Sequence, residues 1–248
     1  MPEADKPLFP FGPILFFGDS VTMGLTAETP ALFSGPQTVP RGIIGQSTRD
    51  MARRLRSDIA AYGAKGLHLI AGRDDILGRG HSVTCAAIVA DIAAMLRDAS
   101  DLYVRTWVGS IPPVDPGAPD AAGLPVALIG QVNAWLRDHA ADCGADFIDY
   151  DAVLATETGA LRPDLTEDGV RLNGAGYAAL RQAMMAALTA PGVDQLWPPA
   201  ESEDAAQRRK FLHHFGYLDS NTRYPSPFIQ FAGKPGASHY GVPFDAHG

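Results

Sequence analysis

Short apolar runs alternate along this chain with longer stretches in which apolar residues recur every three or four positions. The runs predict strands over residues 14–17, 39–44, 67–71, 102–108 and 146–150. The periodic stretches predict helices over 47–62, where Met51, Leu55 and Ile59 stand four apart, and over 84–97, where Ile88, Ile92 and Met95 share a face. Further helices are predicted over 124–143 and 174–190. Pro40 lacks the N–H that a central strand needs, which suits an edge or a strand end. Pro112-Pro113 stops the fourth strand, and a loop rich in Pro and Gly runs on to Gly123. Repeated strand–helix alternation with apolar strands predicts a mostly parallel five-stranded sheet covered on both faces, a three-layer α/β/α sandwich. Ligands of such sheets bind beyond the carboxyl ends of the strands. Ser20, Gly45, Gly72 to Asp75 and Asp168 each follow a predicted strand or precede a helix, so they converge on one edge.

The 248 residues suffice for one α/β domain of about 190 residues plus an extension. The expected division is a lead over 1–13, the domain over 14–197 and an arm over 198–248. A hydrophobic content of 46% with 19% charged residues supports a buried core. A net charge of −8, with arginines scattered along the chain, argues against a nucleic-acid partner. Arg53, Arg54 and Arg56 read as a solvated helix face. Residues 1–13 carry no apolar run to serve as an export signal, and no segment approaches the ~20 apolar residues of a membrane span, so the expectation is a cytoplasmic protein without a membrane partner. Cys85 and Cys143 are expected as buried free thiols. His213-His214 has no partners at zinc spacing and no nucleotide-binding glycine motif occurs, so neither metal nor cofactor is expected. Beyond Pro198-Pro199, Pro and Gly interleave with Tyr217, Tyr224, Phe228, Phe231, Tyr240 and Phe244. Disordered segments are poor in aromatics. This composition therefore predicts an irregular arm, packed on its own domain or on a neighbouring subunit of a homo-oligomer.

The chemistry concentrates in four short segments. Phe16-Phe17-Gly18-Asp19-Ser20, followed by Gly24, delivers a serine to a strand-to-helix turn. Taken alone, Ser20 serves equally well as a helix cap. Arg41 to Ser47 forms a glycine-containing loop before the next helix, and Gly72-Arg73-Asp74-Asp75 ends the third strand. Asp168-Gly169-Val170-Arg171-Leu172-Asn173 leads into the last helix. In this order the four segments resemble the SGNH/GDSL hydrolases over roughly residues 14–188. The resemblance implies a flavodoxin-like sandwich and a serine esterase or acyltransferase acting on a small ester. It makes Ser20 the nucleophile, gives the oxyanion the Ser20 and Gly45 backbone N–H groups, and retains Asp168 as the aspartate of the triad.

Two positions carry other chemistry than the resemblance implies. Asp74 stands where the family has an asparagine whose amide donates to the oxyanion, and a carboxylate can only accept. Arg171 stands where the family has its histidine base, and an arginine stays protonated at any working pH. One oxyanion donor is worth about 10²–10³ in turnover, and a positioned base about 10²–10⁴. An Asp74–Arg171 ion pair across the pocket, bridging to Ser20 or Asp168, is one expectation; a clamp by Arg171 on a carboxylate or phosphate ligand is a second, and an Arg171 side chain directed to solvent is a third. His81 or a histidine of the arm can replace the missing base, whereas His68 reads as a core residue. Three uses stay open: a serine esterase with rearranged machinery, a non-catalytic protein that binds a ligand or partner, and a different reaction run by Asp74 and Arg171.

Overall fold

The computed structural model describes residues 12–78 and 83–190. β1 (Ile14–Gly18) and β3 (Gly66–Ile70) are buried at every position, as strands covered on both faces must be. They join β2 (Thr38–Gly42), β4 (Arg105–Gly109) and β5 (Ala145–Ile148) in one sheet ordered β2-β1-β3-β4-β5, with all four pairings parallel. β2 lies at the edge, where Pro40 leaves no central ladder bond unmade.

Alternation along β1 splits the core. Leu15 and Phe17 face α2 (Thr48–Tyr62), α4 (Cys85–Asp101) and α5 (Ala127–His139) through Met51, Leu55, Ile92 and Val132. Ile14 and Phe16 face α1 (Ser20–Glu28), α6 (Asp151–Leu154) and α7 (Gly174–Leu188) through Leu25, Leu154, Leu180 and Met184. This is the expected three-layer sandwich. The short α3 (Arg73–Leu77) follows β3 directly. Strand order reverses between β1 and β3, so the loops after these two strands part at the sheet's carboxyl edge and leave a crevice there.

Three expectations are corrected. Arg54 does not lie on a solvated face: its side chain is 14% exposed and its guanidinium sits 3.9 Å from the centre of the Phe17 ring. It donates to Gln46 Oε1 at 2.7 Å, Asp58 Oδ2 at 2.7 Å and the Arg41 carbonyl at 3.0 Å, so it braces the loop after β2. Cys85 and Cys143 are free but only half-buried. The fifth strand ends at Ile148 because Tyr150 leaves the ladder: its amide donates to Ser110 Oγ. Residues 1–11 of the lead, His81, residues 191–197 of the expected domain and the arm with its histidines and aromatics lie outside the described residues. No helix among the described residues is long and apolar enough to cross a membrane.

Candidate active site

The turn after β1 is built around a buried carboxylate. Asp19, wholly shielded from solvent, caps α1: its Oδ1 accepts from the Val21 amide at 3.1 Å. Its Oδ2 accepts from the amides of Arg73 and Asp74, at 3.0 and 3.4 Å. Asp19 thereby ties the turn after β1 to the turn after β3. Burial, and next the charge of Asp74, push its pKa up to about 7 against those amides. Ser20 is thus the first residue of α1 rather than its cap.

Asp74 reaches back over this turn. Ser20 Oγ–H donates to Asp74 Oδ1 at 2.5 Å, and the Ser20 amide donates to Oδ2 at 3.1 Å. The Gly45 amide donates to the same Oδ2 at 2.6 Å. One carboxylate therefore holds the serine hydroxyl and both backbone N–H groups that the resemblance assigns to an oxyanion. Gly45 is needed for its backbone conformation: φ is +75°, whereas a Cβ there would meet nothing within 4 Å.

Asp75 points the other way. It accepts from the Thr48 amide at 2.8 Å and from Thr48 Oγ1 at 3.0 Å, which anchors the positive end of α2 and with it the 45–47 turn.

The expected Asp74–Arg171 ion pair does not form. Arg171 Nη1 lies 2.7 Å from Asp168 Oδ2 and 3.5 Å from Asp120 Oδ2, with the side chain 74% exposed. The cause is local. Asp168 Oδ1 accepts from the amides of Val170 and Arg171, at 2.8 and 2.6 Å, which curls the loop so that the guanidinium meets its own aspartate three residues back. Burial works against the charged form of Asp168, but those amides and the Arg171 guanidinium outweigh it and draw its pKa below the ordinary carboxylate value.

Arg73 is the residue that the motif reading passed over. It is 5% exposed and donates to the carbonyls of Pro112 and Val170, joining the loop after β4 to the loop of Asp168 beneath the site. A charged residue directly after an all-buried strand was the available signal. His68 is buried with Nε2 2.6 Å from the Tyr150 hydroxyl, and burial pushes its pKa down to about 3, so it is a core residue outside the site.

Ser20, Gly45, Asp74 and Arg171 line one cleft of about 1030 Å³. Its wall is largely apolar, with Met23, Ile44, Leu77, Leu124 and Leu172 among the lining residues. Ile44 is 71% exposed at the rim. Volume and lining suit a small-molecule ligand.

The sequence model of the GDSL-like lipase/acylhydrolase family matches residues 16–179. Among solved structures, a GDSL-like lipase from Bacteroides thetaiotaomicron superposes with a TM-score of 0.64 at 24% identity, over 71% of this chain and 86% of its own. A lipase/acylhydrolase from Enterococcus faecalis gives 0.57 at 18% identity, over 76% and 99%. A variant of an acetyl-xylooligosaccharide esterase from Geobacillus gives 0.56 at 19% identity, over 72% and 94%. These likenesses establish the fold. No curated protein matches the chain in sequence.

Proposed function

Because the chain belongs to the GDSL-like lipase/acylhydrolase family, we propose that it is a serine ester hydrolase in which Ser20 is the nucleophile and Asp74 its base. The observation that carries this reading is the 2.5 Å hydrogen bond from Ser20 Oγ to Asp74 Oδ1. A base must lie within hydrogen-bond reach of the proton it takes. Among the described residues no histidine lines the cleft.

As Ser20 Oγ attacks the ester carbon, its proton passes to Asp74 Oδ1 and the carbonyl electron pair moves onto the substrate oxygen. The negative charge leaves Asp74 as it arrives on the substrate, so the corner keeps the same net charge throughout. A neutral carboxyl is a weaker acceptor than a carboxylate. The Ser20 and Gly45 amides therefore turn from Oδ2 to the new oxyanion as the side chain withdraws. Collapse breaks the bond to the alcohol oxygen, which departs with the proton from Asp74. The restored carboxylate then takes a proton from water, whose oxygen attacks the acyl-serine; the acyl–Oγ bond breaks, the proton returns from Asp74 to Ser20 Oγ, and the acid is released. An alcohol in place of that water makes the same site an acyltransferase. A carboxylate is a weaker base than an imidazole, so turnover is slow beside an Asp-His pair.

One observation favours a second reading. Asp74 Oδ2 fills the place of an oxyanion at both amides, which suits a closed, non-catalytic site that binds a ligand elsewhere in the cleft. The test is intact-mass analysis after a serine-directed fluorophosphonate. A single adduct that disappears in Ser20→Ala is the expected result; a folded protein that forms no adduct removes the hydrolase reading.

A further inference from the structure

That mechanism supplies two backbone donors on the carbonyl side, but on the side of the departing alcohol only the proton that Asp74 carries. Tyr177, on α7, lines the same cleft as Ser20. Its hydroxyl lies hard against Gly24: a Cβ at that position would fall 1.9 Å from the phenolic oxygen. Gly24 stands four residues after Ser20 on α1, hence on the same face and about 6 Å along the axis. The phenol reaches the wall beside the nucleophile because residue 24 has no side chain.

The approach is from the right side. α1 meets the end of β2, which leads into the Gly45 turn, through Met23, whose nitrogen lies 2.3 Å from where a Cβ on Gly42 would be. It meets Tyr177 through Gly24. The phenol therefore comes from a different side of α1 than the Gly45 turn, with the helix that follows the Asp168–Arg171 loop. The hydroxyl has no hydrogen-bond partner among the described residues. Burial, only partly offset by the Arg73 charge and reinforced by Asp19, Glu28 and Asp74, holds its pKa above the usual tyrosine value. It therefore remains a neutral O–H donor.

We propose that the Tyr177 hydroxyl donates a hydrogen bond to the alcohol oxygen of the ester as that oxygen leaves, which makes Tyr177 a further catalytic residue. The inference rests on the Ser20 hydrolase reading. Tyr177 gives up no proton; it stabilises charge on the departing oxygen until Asp74 protonates it. An unpaired donor beside a nucleophile is otherwise an unused polar group on an apolar wall.

The experiment compares p-nitrophenyl butyrate with ethyl butyrate in the full-length protein and in Tyr177→Phe. A nitrophenolate needs no donor to leave, whereas an ethoxide does. Loss of one such donor costs about 10²-fold. Tyr177→Phe should lose about that factor in kcat on the ethyl ester, with KM little changed, and less than about threefold on the nitrophenyl ester. Gly24→Ala, which drives the phenol away, should reproduce the same selectivity. An equal loss on both esters, or none on either, overturns the proposal and leaves Tyr177 a packing residue. Absence of Ser20-dependent turnover of either ester by the unaltered protein overturns the hydrolase reading and this inference with it.

Discussion

Replacing Asp74 by alanine separates a base from a plug. The carboxylate accepts three hydrogen bonds, from Ser20 Oγ at 2.5 Å, the Ser20 amide at 3.1 Å and the Gly45 amide at 2.6 Å. If it is the base, its loss removes about 10²–10⁴ in rate, or about 3–5 kcal/mol at the transition state. Vacating the oxyanion corner gives little back on that reading, because each proton transfer already frees the amides. If Asp74 is a plug, the two freed donors are worth about 10²–10³ each and the rate rises. The two readings therefore differ in sign. The assay is the second-order rate of fluorophosphonate adduct formation, with p-nitrophenyl butyrate turnover beside it. A second readout comes from Asp19, whose pKa of about 7 owes its rise to burial and next to the charge of Asp74. In Asp74→Ala that pKa should fall. An Asp74→Ala protein as fast as the parent, or faster, refutes the base.

The remaining predictions concern pH and reversion. Asp19 binds its proton more tightly in the folded protein, at about 7, than at the ordinary aspartate value of 3.8. Its contribution to stability is therefore fully present below about pH 4 and lost as pH rises through 7. Urea midpoints of the parent should fall relative to those of Asp19→Asn across that window, and parallel curves would exclude the effect. Arg171→His alone should gain no activity, because Asp74 still holds the serine hydroxyl and both amides. Combined with Asp74→Asn it should exceed Asp74→Asn alone by about 10²–10⁴, and equal rates in single and double variants would show that the imidazole cannot reach Ser20.

The sheet was legible because its strands carry their burial in their composition. Ile14 to Gly18 and Gly66 to Ile70 have no exposed face, and a run without alternation reads as buried on both sides. The helix of Met51, Leu55 and Ile59 appeared at its observed place for the same reason, through period instead of run. Which residues would gather was legible in part: Ser20, Gly45 and Asp74 follow strands of a parallel sheet and line one cleft with Arg171, whereas Asp168 is not among its lining residues. Their partners were not. An arginine and an aspartate in one cleft suggest a pair when charge is all that can be counted. Asp74 instead found three N–H and O–H donors, and Arg171 found an aspartate three residues behind it. Backbone donors carry no letter in a sequence, and a loop's curl depends on amides such as those of Val170 and Arg171. Arg54 shows the same gap: helical spacing placed it on a face, but only the Phe17 ring and the carbonyls around it show that the face is covered.

Asp74 and Arg171 are thus coupled, though not to each other. Each is neutralised where it stands, Asp74 by the serine turn and the Gly45 amide, Arg171 by Asp168. The second pairing has a consequence for the first. Asp168 is the carboxylate that would orient an imidazole at position 171, and its Oδ2 is instead committed to a guanidinium that cannot accept a proton. With that base closed off, the acceptor that the described residues offer to the hydroxyl proton of Ser20 is Asp74, 2.5 Å away. If Asp74 is the base, the same carboxylate must also empty the oxyanion corner during the reaction, and proton transfer is the event that would loosen its hold on the two amides. On the proposed mechanism base and gate are one group, so neither function can be altered by mutation without the other.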